Sequence, residues 1–152
     1  MSGVRLVQGM NTSNSQECIL ANSVTLDFGD PIKLDSNGFL APVAAGDKVE
    51  GFFAQATTTA TSDNQTVALA KGLYQPVTFD MVLEATADQA ATQTDIGAYA
   101  DFIVSGTTFT INLAAGSSGQ VMILDFDPNR DGTTTLVRFS IAEPEVLAFA
   151  QA

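Results

Sequence analysis

A chain of 152 residues with 45% hydrophobic content is long enough for one domain with a substantial core. Histidine and tryptophan are absent and cysteine occurs once, at Cys18. Ser-His-Asp and Cys-His catalysis, histidine metal ligation, an intramolecular disulfide and a thiolate zinc site are therefore all excluded. A formal charge of −11 repels nucleic acid and anionic membrane surfaces alike.

Charged residues make up only 15% of the chain, against the ~25% common in soluble domains. Thr, Ser, Asn and Gln must cover much of the surface, and such a surface loses little hydration when a partner covers it. Residues 1–76 hold seven acids and four bases, and residues 77–152 ten acids and two bases. Copies of so acidic a chain repel one another at low salt, so an assembly containing it should tighten with added salt. The N-terminus lacks signal-peptide blocks, and no apolar run approaches the ~20 residues of a membrane helix. A non-secreted protein of a reducing compartment is expected, with Cys18 a buried, inert thiol beside Ile19 and Leu20.

Residues 1–16 hold few apolar groups and end in a polar Asn-Thr-Ser-Asn-Ser-Gln tract. They read as an extended N-terminal arm, weakly tied to a single β-domain at 17–152. Residues 18–28 read as a strand with Val24, Leu26 and Phe28 on one face. The stretch FGDPIKLDSNGFLAPVAAGDKVEGFF, residues 28–53, is the most informative. Ile32 and Leu34 alternate with Lys33 and Asp35, the period-two mark of a half-buried strand. Ser36-Asn37-Gly38 and Ala45-Gly46-Asp47 supply tight turns, giving a three-segment meander. Thr-rich residues 55–66 read as strand ends flanking an exposed loop.

Val67 and Leu69 resume the alternation, and Lys71-Gly72 ends it. Val77, Phe79, Met81 and Leu83 form the cleanest apolar stripe, opposite Thr78, Asp80 and Glu84. Residues 85–98 are a loop or at most one short helix. Strands follow at 99–104, 109–113, 121–126 and 135–141, and Val121-Met122-Ile123-Leu124 is apolar on both faces, as for a strand covered on both sides. The tail carries Val146, Leu147 and Phe149, which either dock on the core or meet a neighbour. Eight to ten short strands with turns every 8–12 residues define an all-β, compact, single-domain β-sandwich or barrel.

Candidate chemistry is sparse. From Asp127 the chain reads D-x-N-x-D-G, the first half of a calcium loop, but Arg138 stands at the twelfth position where a Glu belongs. Starting at Asp125 places Arg130 where Gly is required and Leu136 at the twelfth position. Both frames fail, and a turn built on Pro128 and Gly132 explains the same residues. The AAGSSGQ stretch lacks the Lys of a phosphate-binding loop. No catalytic residue, metal or cofactor is assigned.

The meander resembles a pattern of tailed-bacteriophage structural proteins, "G-D-x-[VI]-x-L", an apolar segment with Pro, then "G-D-x-[VI]-x-G". Here those positions are Gly29, Asp30, Ile32, Leu34, Pro42, Gly46, Asp47, Val49 and Gly51. Thr94-Asp95-Ile96-Gly97 before the strand at 99–104 is similar too, as is the aliphatic strand ending Asp125-Phe126-Asp127-Pro128 and leading to Leu136-Val137-Arg138-Phe139. Together, over residues 24–141, they resemble the head decoration (cement) proteins. That resemblance implies a β-tulip-like fold, with homotrimers on the outer surface of an expanded capsid and an N-terminal arm pairing with the major capsid protein. It also implies a virion location after synthesis in the host cytoplasm. Val4, Arg5, Leu6 and Val7 become the expected capsid contact, and Leu147 and Phe149 the expected intersubunit contact. The alternatives are another virion β-module, such as a head fibre base or tail-tube protein, and a carbohydrate-binding β-sandwich, against which the lack of Trp counts.

Overall fold

In a computed structural model that describes residues 4–8, 15–78, 80–106, 108–114, 119–126 and 135–142, the meander is built on two copies of one turn. In the first, the Asp30 N–H donates to Asp27 O at 3.0 Å, and Asp30 Oδ2 accepts the Asp27 N–H at 2.8 Å. In the second, the Asp47 N–H donates to Ala44 O at 3.1 Å, and Asp47 Oδ2 accepts the Ala44 N–H at 2.8 Å. Each Asp thus closes its turn with both backbone and side chain. The residue before it takes a φ of 90° at Gly29 and 82° at Gly46, where glycine is the least strained choice.

Between these turns, β4 (Pro31–Leu34) and β5 (Leu40–Pro42) form the expected hairpin. Asp35 Oδ1 accepts from the N–H groups of Asn37 at 2.9 Å and Phe39 at 3.0 Å. Strand β6 (Gly51–Phe53) then returns antiparallel to β4.

The chain is all-β. The other strands are β1 (Arg5–Gln8), β2 (Gln16–Ile19), β3 (Thr25–Leu26), β7 (Thr58–Thr59), β8 (Lys71–Pro76), β9 (Val82–Thr86), β10 (Tyr99–Ser105), β11 (Thr108–Asn112), β12 (Val121–Phe126) and β13 (Leu136–Ile141). A six-stranded sheet runs β1-β9-β13-β12-β10-β11, a five-stranded one β2-β8-β6-β4-β5, and β3 pairs with β7. A parallel bridge from Ala87, just past β9, to Ile111 on β11 curls the larger sheet into a half-barrel.

Two apolar clusters hold the layers together. The main one joins Phe52 of the smaller sheet, with Val43 and Val49 from the connection before it, to Leu83, Phe102, Phe109, Ile123 and Phe139 of the larger sheet. Phe102 meets Phe109 and Phe139 edge-on, with ring centroids 5.9 and 5.8 Å apart, worth about 0.5–1.5 kcal/mol per pair beyond burial. The second cluster gathers Leu20, Leu26, Ile32, Leu40, Phe53 and Tyr74 on the other face of the smaller sheet. That sheet is therefore covered on both faces, which is why all three residues of β6 are buried.

Several expected boundaries move. The strand expected at 18–28 is broken at Asn22-Ser23, where Ser23 has a φ of 60°. Leu26 is fully buried, while Phe28, placed on the same face, is 50% exposed. Val67 and Leu69 do not lie on a strand. They belong to a π-helical turn, Asn64–Ala68, capped by Leu69 at a φ of 55°, and both are exposed. Its cause is Asn64, fully buried, whose Nδ2 donates to Leu20 O and Ala70 O while Oδ1 accepts the Ala70 N–H. Lys71-Gly72 begins a strand instead of ending one.

The stripe toward Leu83 keeps its parity, since Met81, Leu83 and Ala85 are buried, but β9 starts only at Val82 after a turn in which Thr78 Oγ1 donates to Asp80 Oδ1. Phe79 lies outside the described residues. Strand β12 is central in its sheet, yet Met122 and Leu124 are only half-buried, so its second face is not sealed. Residues 93–95 form a single 3-10 turn, within the expected loop.

Candidate functional site: the edge strand β1

Within the segment assigned to a loose arm, Arg5–Gln8 form β1 at one end of the larger sheet. Arg5 pairs with Glu84 and Leu6 with Leu83, and a bulge follows before Gln8 opposite Val82. Val4 is 6% exposed and belongs to the main cluster. The segment is therefore tied to its own core, contrary to the expectation of a weakly tied arm. Of the four expected contact residues, Val4 faces inward, whereas Arg5 and Val7 are exposed. The side chain of Leu6, with Leu147 and Phe149, lies outside the described residues.

A charged row anchors the strand. Glu84, 4% exposed, stands between Arg5 on β1 and Arg138 on β13, each directly opposite it in register. The Arg5 Nη2 contacts Glu84 Oε1, and Arg138 Nε lies 3.4 Å from Oε2. A carboxylate so buried is tolerable only with such partners. Glu84 keeps the expected parity, one residue out of step with the buried Leu83, but its face is closed off from solvent.

A further polar group governs how the sheets meet, and it was not foreseen. Gln120, 1% exposed, accepts the Phe102 N–H at Oε1 and donates from Nε2 to Ala44 O at 2.9 Å and Asp47 O at 2.6 Å. It rivets the second Gly-Asp turn to β10. Asp47 itself takes Lys33 Nζ at 2.6 Å. Desolvation pushes the Asp47 carboxyl up, but the Lys33 hydrogen bond, the Ala44 N–H and the Lys33 charge outweigh it, and the net shift is downward.

The remaining expected features are inert or out of view. Cys18 is half-buried with Sγ 3.2 Å from Gly38 O, and burial raises its thiol pKa, the opposite of an activated nucleophile. Asp125 is exposed, its Oδ1 accepting the Phe126 N–H, while residues 127–131 lie outside the described residues. Among the described residues no group of three His, Cys, Asp or Glu side chains is placed to hold a metal ion, and no helix is long and apolar enough to cross a membrane.

No family model and no curated protein matches this chain.

What β1 offers is a surface. Strand β1 ends a sheet, its backbone aligned by the Arg5–Glu84–Arg138 row, and Val7 faces outward beside it. An end strand of this kind is the element to which an extended segment of another chain can add.

Proposed function

We propose that this chain is a capsid decoration protein of a tailed bacteriophage, binding the outer surface of an expanded head as trimers and stabilising the shell. The observation that carries the reading is the pair of matching Gly-Asp turns. The residues on which the resemblance rests have turn-closing and packing roles that their types explain, so the motif is one folding unit and not a chance string. The low-charge surface and the absence of histidine fit a binding role better than catalysis.

The capsid contact is assigned to β1, with Val7 and the outer side of Arg5 facing the major capsid protein. Val4 is better read as the anchor that fixes β1 to its own core. Leu147 and Phe149 keep their proposed role between subunits. Many copies on one shell convert a modest single contact into lasting attachment. Because the chain carries a charge of −11, attachment should strengthen as salt screens repulsion between neighbouring copies.

Co-sedimentation of the purified chain with expanded, undecorated heads of its source virus tests the proposal. Saturable pelleting that rises with salt supports it. A chain that stays in the supernatant at every salt concentration refutes it.

A further inference from the structure

Four charged residues stand in one row across the larger sheet. Asp125 on β12 is opposite Arg138 on β13, Arg138 is opposite Glu84 on β9, and Glu84 is opposite Arg5 on β1. The signs alternate, as cross-strand pairs favour, and the row stops on a cation. Among the described residues no strand lies beyond β1. One nitrogen of the Arg5 guanidinium meets Glu84, yet the side chain is 60% exposed, and a guanidinium carries five N–H donors. A strand added at this edge continues the row, and the residue it sets opposite Arg5 should be an acid.

The neighbour of that acid meets a different surface. Successive side chains of a strand point to opposite faces, so beside the acid stands a residue directed to the core side. There β1 borders a cavity of about 130 Å³, walled by Val4, Phe28, Phe52, Met81 and Leu83, with Arg5 at its rim. Four of these walls belong to the main cluster, while Phe28 is half exposed at the mouth. Such a space suits one apolar side chain of about leucine size and rewards its burial. A bulge follows Leu6, so regular pairing is confined to the stretch ending there. A charge and a bulge also keep a sheet edge from taking up strands at random. Here the charge selects: it repels a basic strand and accepts an acidic one.

We propose that β1 takes up an extended segment of a partner protein through two adjacent residues, an acid set against Arg5 and an apolar side chain lodged in the cavity. Under the proposed function that segment belongs to the capsid protein. The inference rests on that reading only for the partner's identity, and a test with free peptides separates its failure from a failure of shell binding.

The test titrates the full, ¹⁵N-labelled chain with the peptide acetyl-Thr-Val-Glu-Leu-Thr-amide, with versions carrying Gln or Lys for the Glu, and with one carrying Ser for the Leu. Saturable shifts are expected in the amides of Arg5 and Leu6 on β1 and of Met81 and Leu83 at the cavity wall. The Glu peptide should bind about threefold tighter than the Gln one, and the Ser version about tenfold more weakly. The field of a chain of charge −11 favours the Lys peptide, so an order with Glu ahead of Lys isolates Arg5. Arg5→Gln is expected to erase the difference between Glu and Gln and to keep that between Leu and Ser. The proposal is overturned if the Glu peptide moves no β1 amide up to its solubility, if the Lys peptide binds as tightly, if Ser for Leu changes nothing, or if Arg5→Gln still prefers Glu. The parent titrations decide the matter even if the variant does not fold.

Discussion

Two glutamines face the space between the same pair of sheets and serve it in opposite ways. Gln120 uses its whole amide, taking the Phe102 N–H and giving to Ala44 O and Asp47 O. Gln75, almost equally buried, uses none of it. Burial alone ranks the two alike, and only a count of their hydrogen bonds separates them.

Breaking the rivet should be the costliest change. Gln120→Leu strands the Phe102 N–H and weakens the second Gly-Asp turn, and about 3 kcal/mol of stability should be lost, read as a lower urea midpoint at unchanged m-value. Glu84→Ala should come next. It leaves Arg5 and Arg138 facing each other without their carboxylate, and because both arginines are partly exposed the loss should be about 1–2 kcal/mol. Hydrogen exchange should quicken first in β1, separating this loss from a global one.

Gln75→Leu should act with the opposite sign from Gln120→Leu. Replacing an unpaired amide by an apolar group of similar size should raise stability by about 1 kcal/mol, again by urea denaturation. A loss as large as that of Gln120→Leu would mean that Gln75 is fully bonded, and the contrast would collapse.

Much of the fold was legible because its signals are local. Asn37-Gly38 and Gly46-Asp47 state their turns in the sequence, and the strands expected at 99–104, 109–113, 121–126 and 135–141 lie within a residue of the observed ones. The failures share one cause: a polar side chain recruited by residues distant in sequence. Asn64 bonds Leu20 and Ala70 and winds the chain where alternation read as strand. Glu84 is buried with Arg5 of β1, far earlier in the chain, set directly opposite it. Gln75 and Gln120 carry no spacing pattern of their own. The arm was misjudged likewise, since its few apolar residues are enough when Val4 seats in a core built by later strands.

The smallest effect should come from Lys33→Met, which removes the partly exposed ion pair to Asp47. About 0.5 kcal/mol is expected at neutral pH. A carboxyl whose folded pKa is depressed contributes stability above its unfolded value and loses it as pH falls through the folded one. The difference between parent and variant should therefore be full at neutral pH and fade below the ordinary carboxylate range. A difference that grew on acidification would contradict the assigned direction for Asp47.

The most direct measurement is a cryo-electron microscopy reconstruction of expanded, undecorated heads after incubation with the full chain at moderate salt. Shell binding through β1 predicts new density outside the shell in groups of three, with the β1 end of the larger sheet against the capsid surface. Bare shells, or density seated on the opposite edge at β11, would contradict it.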